Sequence, residues 1–280
     1  MSAPERNGRL GVLAPLVDDP YFSPIVSGAI EAAYEQELQL VVSTTLHEHA
    51  REASLLDRMH GATDGTVVVL PEQSSDELLR RPHPLVVVDP LFPLDERIPS
   101  VASAHRSGAD QAMRHLLGLG HRRIAAIAGP PGWLATESRR DGYVAALGAA
   151  GIPLDPALQT ASDFELAPGA EAAARLLDQP EPPTAIFAFN DAIAIGALRA
   201  ARERGLRVPE DVSVLGFDDM RHATIVAPAL TTIRQPLAEM GRAAIGLLSR
   251  LLDDPGYEPR HVELPTRLVV RESTASPPAR

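Results

Sequence analysis

Short apolar runs alternate along the chain with longer stretches of helical period, and this alternation constrains the fold more than any other feature. RLGVLAPL precedes the helical stretch SPIVSGAIEAAYEQE, and LQLVVS precedes AREASLLDRMHG. Repeated strand-helix pairs are typical of a parallel sheet with helices on both faces. In the first helical stretch apolar residues recur at three- and four-residue steps, which predicts one inward face: Ile25, Val26, Ala29, Ile30 and Ala33.

The same alternation restarts after LGLGH, which ends at His121, and continues to DVSVLGFDD. Two successive α/β stretches of similar length predict two lobes, each a parallel sheet flanked by helices. The later segments PLAEMGRAAIGLLSRLLDD and HVELPTRLVVRES are too short for a third domain, so we expect them to be added to those lobes. The final STASPPAR is expected to be disordered.

Composition excludes several functions. The chain has 26 basic and 37 acidic residues, and a net charge of −11 repels the phosphates of DNA and of anionic membranes. It has no cysteine, which excludes disulfides, zinc–thiolate sites and cysteine nucleophiles. All the basic residues are arginine, which excludes a P-loop or Schiff-base lysine. With no long apolar run and no secretory signal pattern, the chain is expected to be cytoplasmic.

Polar residues follow several predicted strands, at the edge where open α/β sheets bind ligands. Asn190 and Asp191 follow one strand, and Asp218 and Asp219 follow another. If the edges of the two lobes face each other, they form a cleft for a small polar ligand. Taken alone, Asn190 is more simply a helix cap. His47 and His49 in LHEHA are interpreted as loop residues rather than metal ligands.

Five segments, in order from Arg9 to Thr274, resemble the effector-binding core of transcription regulators of the lactose-repressor (LacI/GalR) family: LGVLAPLVDDPYFSPIVSGAIEAA, LGLGHRRIAAIAGP, FAFNDAIAIGALRAARERGLRVPEDVSVLGFDD, PALTTIRQPLAEMGRAA and LPTRLVVREST. The resemblance implies a two-lobed, periplasmic-binding-protein-like type I fold and a homodimer that binds a small molecule between the lobes. It implies neither a cofactor nor a metal.

The resemblance also implies lobe boundaries. The N-terminal lobe would contain residues 8–119 and 236–254, and the C-terminal lobe residues 121–234 and 257–272, with crossings near 119–121, 235–236 and 254–256. In the family, a helix-turn-helix headpiece precedes this core. Because this chain starts almost at its first strand, we expect the headpiece to be absent and operator DNA to be bound only through it.

Residue by residue, the resemblance gives Arg139 as a contact to effector hydroxyls, Phe164 as a stacking platform, Asn190 as a bidentate polar contact and Asp218 as a hydroxyl acceptor. It gives Tyr21 and Phe22 as the wall of the N-terminal lobe and Gln235 as the hinge. Taken singly, Arg139 would be a solvated helical residue and Phe164 a core aromatic.

This sequence departs from the family at Ala104-His105, where many members carry Asp-Asn, and His105 or Ser107 is the candidate replacement. Amide, carboxylate and aromatic groups together suit a sugar.

The sequence therefore predicts the ligand-sensing domain of a DNA-binding transcriptional regulator, which changes conformation when a sugar or similar effector binds and catalyses no reaction. One alternative is the solute-binding protein of a sugar transporter, which would need an export signal. A remote alternative is a sugar or nucleoside hydrolase that uses Asp18, Asp19, Asp218 and Asp219 around a metal.

Overall fold

The strands form two six-stranded sheets. In the computed structural model, which describes residues 7–254, 256–258 and 260–278, the strands are β1 (Arg9–Ala14), β2 (Gln39–Thr44), β3 (Gly65–Val69), β4 (Leu85–Val88), β5 (Ser100–Ser103), β6 (Ile124–Ala128), β7 (Gln159–Ala161), β8 (Ala185–Ala188), β9 (Ser213–Asp218), β10 (Thr231–Arg234), β11 (His261–Leu264) and β12 (Arg267–Val269).

The helices separate the strands in the order that the sequence predicts. They are α1 (Phe22–Glu35), α2 (His49–Ala62), α3 (Ser75–Leu79), α4 (His105–Gly118), α5 (Leu134–Ala149), α6 (Leu166–Leu177), α7 (Asp191–Glu203) and α8 (Leu237–Asp253), with short 3₁₀ turns at Pro156–Leu158 and Arg221–Thr224. Among the described residues, no helix is both long enough and apolar enough to cross a membrane.

The first compact unit contains residues up to Ser103 together with Pro236–Leu264. Its strand order is β11-β5-β4-β3-β1-β2, with every neighbouring pair parallel. Strands β3 and β4 are buried along their whole length. This burial explains their near-continuous valine runs, because a parallel sheet with helices on both faces leaves no polar side for alternating residues.

The second unit contains Ala104–Gln235 and the residues from Pro265 onward. Its strand order is β12-β10-β9-β8-β6-β7, and only the β12–β10 pair is antiparallel. Aromatic and aliphatic side chains from β6, β8 and β9 fill the core between this sheet and its helices. The predicted α/β class, two largely parallel sheets flanked by helices, is confirmed.

The first crossing between units lies before α4, whereas the family resemblance implied a crossing after it, at 119–121. Helix α4 belongs to the second unit because it packs tightly on α5. A Cβ on Gly142 of α5 would lie 2.5 Å from the carbonyl oxygen of Arg106, so the helices approach closely only because glycine is present. The second crossing lies between Gln235 and Pro236.

The third crossing lies between Leu264 and Pro265 rather than at 254–256, where Pro255 is outside the described residues. The chain stays in the first unit through β11, because β11 pairs with β5 there. The disorder expected for 273–280 is also wrong for its first residues. The Ser273 hydroxyl is buried and donates to the Val214 carbonyl at 2.6 Å, while residues 279–280 are outside the described residues.

Candidate functional site

The carboxyl ends of β8 and β9 bring polar residues together in the second unit. These strands are parallel neighbours, with Ala185 aligned to Ser213 and Phe187 to Leu215. The chain therefore leaves both strands at the same edge of the sheet, where α/β folds bind ligands. Asn190 follows β8, and Asp218 is the last residue of β9.

Arg139 is the cation at the centre of this edge. It lies on α5 with only 3% of its surface exposed, so it is not the solvated helical residue that its position beside Arg140 suggests. The guanidinium carbon lies 3.9 Å from the centre of the Phe217 ring. Nη1 donates to the Phe189 carbonyl, and Nη2 lies 3.7 Å from Asp218 Oδ1. A buried cation needs such partners because its desolvation is costly.

Asp218 is the buried anion of the same cluster, 5% exposed. Gln235 Nε2 donates to its Oδ1 at 2.6 Å, and the Gln235 backbone amide donates to its carbonyl at 3.2 Å. Gln235, predicted as a hinge residue, thus lies at the unit boundary and also holds Asp218. Within the described part of the chain, Arg139 Nε and Gln235 Oε1 are buried without a hydrogen-bond partner.

Phe164 forms an aromatic face beside the charged pair. Its half-buried ring lies 5.7 Å from the Trp133 ring and 5.8 Å from the Arg139 guanidinium carbon. The ring rests on Gly129, where an added Cβ would come within 2.0 Å of Phe164 Cζ. The missing side chain of Gly129 therefore creates the space that Phe164 fills.

Asn190 has the capping role that its position suggests. Its Oδ1 accepts from the Ile193 amide at 2.8 Å, at the start of α7. Its Nδ2 donates to the Phe164 carbonyl at 3.2 Å. Asn190 thereby fixes the loop that carries the aromatic face to the helix that follows β8.

Of the two candidate replacements for the missing Asp-Asn pair, the structure brings only His105 into this cluster. His105 is buried at the start of α4, with Nδ1 3.3 Å from Arg139 Nη2 and its ring 6.0 Å from that of Phe217. Ser107 lies on the exposed face of α4. A histidine two residues before an exposed helical serine is on a different face of the helix, since successive residues turn by about 100°.

Tyr21 and Phe22 lie in the first unit and differ in environment. Tyr21 Oη donates to Asp89 Oδ2 at 2.6 Å, so Tyr21 joins a polar pair at the carboxyl end of β4. Phe22 is buried at the start of α1 and packs edge-on against the Tyr21 ring. Phe22 thus belongs to the core of the first unit, and its part in the wall of the N-terminal lobe stays a prediction. Sequence reasoning missed Asp89, although it directly follows the strand PLVVV as Asp218 ends β9.

Two further carboxylates, those of Asp191 and Asp219, lie near Asp218. Asp191 is fully buried and accepts from Thr232 Oγ1 at 2.6 Å and from the Met220 amide at 2.8 Å. Burial, and then the charge of Asp218, raise the pKa of Asp191 well above its usual range. Asp219 is paired with the side chains of Arg234 and Arg271.

The metal site of the hydrolase alternative gains no support from these contacts. Asp219 is committed to two arginines, and Asp19 Oδ1 accepts from the Tyr21 amide at 2.7 Å within a local turn. Across 7–254, 256–258 and 260–278, no group of three or more histidine, aspartate or glutamate residues is arranged to hold a metal ion. His47 Nδ1 lies 3.5 Å from Glu72 Oε1, and His49 Nε2 lies 3.2 Å from Glu77 Oε1. Both histidine side chains are at least 40% exposed.

The chain is similar to known regulators over almost its whole length. Residues 113–274 match the family model described as a periplasmic binding protein-like domain. The chain is 35% identical over 276 residues to the HTH-type transcriptional repressor CytR of Escherichia coli strain K12, an alignment that covers 95% of this chain and 79% of the repressor. It is 33% identical to the HTH-type transcriptional regulator DegA of Bacillus subtilis strain 168, covering 97% and 82% of the two chains.

Solved structures of transcriptional regulators are also similar to this chain over almost its whole length. The transcriptional regulator CelR in complex with cellobiose superposes with a TM-score of 0.87 at 33% identity, covering 96% of this chain and 85% of that one. A LacI family transcriptional regulator from Enterococcus faecium with bound ribose gives a TM-score of 0.85 at 30% identity, covering 96% and 99%. These similarities confirm the periplasmic-binding-protein-like fold expected from the sequence, and they favour a regulator over a transport protein. The chain belongs to the LacI family of transcriptional regulators.

Proposed function

We propose that this chain is the effector-sensing part of its regulator and binds a small polyhydroxylated molecule, most simply a sugar, at the carboxyl edge of the second sheet. The observation that carries the proposal is the buried cluster of Arg139, Asp218 and Gln235. It offers a cation, an anion and an amide at one place, since Gln235 Nε2 donates to Asp218 Oδ1 at 2.6 Å and Arg139 Nη2 lies 3.7 Å from the same oxygen. Adjacent hydroxyl groups, which both donate and accept, match such a mixed set.

The two unpartnered atoms support the same conclusion. Arg139 Nε is a donor and Gln235 Oε1 an acceptor, and both are buried with no partner among the described residues. Buried polar atoms are rarely left without a hydrogen bond, so a ligand that supplies both an acceptor and a donor would complete the cluster. The Phe164 ring gives an apolar surface beside these groups, suited to the C–H face of a sugar ring. Among the similar regulators, two have bound ribose or cellobiose.

In this function no bond is made or broken. The effector shifts an equilibrium between two conformations of the regulator, by as much as its affinity for the two conformations differs. A homodimer would pass that shift to operator DNA through a helix-turn-helix segment of the kind named in the relatives. The net charge of −11 argues against direct DNA binding by this chain itself.

Calorimetric titration with a panel of monosaccharides, disaccharides and nucleosides tests the proposal. We expect at least one member of the panel to bind the wild-type protein. Asp218→Asn removes a charged acceptor, and a lost hydrogen bond to a charged group corresponds to a loss of affinity of roughly 30-fold. Asp178→Asn is the control, because Asp178 is an exposed carboxylate paired with Arg204. Absence of binding across the panel, or unchanged affinity in Asp218→Asn, would refute the proposal.

A further inference from the structure

The turn that presents Asp218 has an unusual backbone. Asp218 has a φ of 118° and Asp219 a φ of 61°, so two consecutive residues with side chains adopt positive φ. Such a conformation is uncommon outside glycine because Cβ approaches the backbone. It persists only where the surrounding structure holds it. The groups that hold this turn therefore determine where the Asp218 carboxylate points.

One side of the turn is held through Asp219. Its buried carboxylate pairs with Arg234 on β10 and with Arg271, which follows β12. Arg271 also donates through Nη1 to the Leu230 carbonyl at 2.7 Å. These contacts join the turn to β10 and to the segment that follows β12.

The other side is held by Asp191, the first residue of α7. Its Oδ2 accepts from the amide of Met220, the residue directly after the turn, at 2.8 Å. Its Oδ1 accepts from Thr232 Oγ1 on β10 at 2.6 Å. One carboxylate thus joins α7, the turn and β10, at the edge of the sheet that carries the proposed effector site.

Gly216 on β9 leaves the space for this carboxylate. A Cβ at Gly216 would lie 2.4 Å from Asp191 Oδ1 and 3.0 Å from Leu230 Cδ2. Asp191 therefore packs directly against the strand that ends in Asp218, and any side chain at residue 216 would displace it.

We propose that Asp191 is a positioning residue, which sets effector affinity by fixing the turn that presents Asp218 without touching the effector itself. This inference rests on the proposed function. Burial first, and then the charge of Asp218, raise the pKa of Asp191, so the negative charge of this carboxylate is unfavourable where it lies, and its contribution is the geometry of its hydrogen bonds. Asp219 also raises the pKa of Asp191, while the bonds from Thr232 and Met220 lower it.

Two substitutions at Asp191 separate its geometry from its charge. In Asp191→Asn the amide oxygen still accepts from the Met220 amide, and the amide nitrogen donates to Thr232 Oγ1, so both contacts persist. In Asp191→Ala both are lost. We expect effector affinity within about threefold of wild type for Asp191→Asn and at least tenfold weaker for Asp191→Ala. When the turn moves, the effector loses its hydrogen bond to the charged Asp218 carboxylate, and one such bond corresponds to a factor of about ten or more in affinity.

A stability control keeps a general loss of folding from imitating this result. Leu198→Ala removes a buried side chain from the same helix, α7, and destabilises the unit without touching the turn. We expect Leu198→Ala to bind effector as wild type does at temperatures where it is folded. An equal loss of affinity in Leu198→Ala and Asp191→Ala would overturn the positioning role.

Hydrogen exchange of the Met220 amide tests the contact without any effector. In Asp191→Ala this amide loses its acceptor, and we expect exchange at least tenfold faster than in wild type, whereas Asp191→Asn keeps it slow. If exchange is unchanged in Asp191→Ala, the contact does not hold the turn and the inference fails, whether or not the proposed effector class is correct. If exchange accelerates while affinity stays the same, the turn is held but does not set affinity, which also overturns the inference.

Gly216→Ala provides a second test should Asp191→Ala fail to fold. The added methyl group displaces the Asp191 carboxylate, so we expect faster Met220 exchange and weaker effector binding in this variant as well. Gly148→Ala, at an exposed helical position with no atom within 4 Å of the added Cβ, is the matched control and should change neither quantity. Wild-type Met220 exchange and affinity in Gly216→Ala would contradict the inference.

Discussion

The buried pair of Arg139 and Asp218 should be strongly coupled in the effector-free protein. Their charged atoms lie 3.7 Å apart, and both side chains are at least 95% buried. At an effective dielectric constant of about 20, Coulomb's law gives an attraction of roughly 4 kcal/mol at this distance. Arg139→Met leaves the Asp218 charge buried without its cation, which we expect to lower the free energy of unfolding by about 3–4 kcal/mol.

A double-mutant cycle measures the coupling. Urea unfolding is followed by circular dichroism for wild type, Arg139→Met, Asp218→Asn and the double variant. Because the double variant leaves neither charge unpaired, its loss should be smaller than the combined single losses by about 2–4 kcal/mol. Single losses that add to within about 0.5 kcal/mol would show that Arg139 and Asp218 are not coupled.

A surface pair supplies the matched control for that cycle. Arg204 and Asp178 approach more closely, at 2.5 Å, but the Asp178 side chain is 61% exposed. Solvent screening and side-chain entropy weaken such exposed pairs. We therefore expect weaker coupling for Arg204→Met with Asp178→Asn than for the buried pair, although the distance is shorter. Equal coupling in the two cycles would show that burial is not what strengthens the Arg139–Asp218 interaction.

Two other predictions concern packing and pH. Gly129→Ala places a methyl group where Phe164 lies, which should cost about 1–3 kcal/mol in thermal unfolding and weaken effector binding by moving the ring, while Gly148→Ala should weaken neither stability nor binding. Desolvation by burial lowers the pKa of His83 from 6.5 to about 4. Between pH 6.5 and pH 4, His83 is therefore protonated in the unfolded chain but stays neutral in the folded chain. Stability should therefore fall by up to about 3 kcal/mol as the pH drops toward 4. Burial also lowers the pKa of His115 and of His121, so part of the loss should remain in any single variant. Denaturant unfolding at several pH values should show the full loss in wild type and in His222→Gln, a change at an exposed histidine, and a smaller loss in His83→Gln; equal slopes in all three would contradict the assignment.

The order of strands and helices could be predicted from the sequence because it depends on local periodicity. The assignment of α4 to the second unit could not be predicted in this way. The LGLGH segment has the glycines of a boundary, yet the boundary lies before α4, since the contact of Gly142 with Arg106 is made by residues far apart in the chain. The tail is a similar case, because Ser273 is ordered by hydrogen bonds to Val214 that no local pattern predicts.

Part of the site could also be predicted. Asp218 and Asn190 were found because carboxyl ends of strands are the general ligand edge of α/β sheets, and the same rule would have found Asp89. The burial of Arg139 beside the exposed Arg140 has a signal too, since Thr136, Arg139 and Tyr143 share one helical face and all are buried. No signal in the sequence indicates the role of Asp191. That role depends on the positive φ at Asp218 and on the space beside Gly216, which exist only in the folded chain.

Effector binding at the carboxyl edge of the second sheet can be observed directly. A crystal structure of the protein with the sugar that binds most tightly tests it most directly. We expect sugar hydroxyls within about 3 Å of the Asp218 carboxylate and the Arg139 guanidinium, with the face of the ring on Phe164. A sugar bound elsewhere, with Asp218 and Arg139 left in contact only with protein, would contradict it.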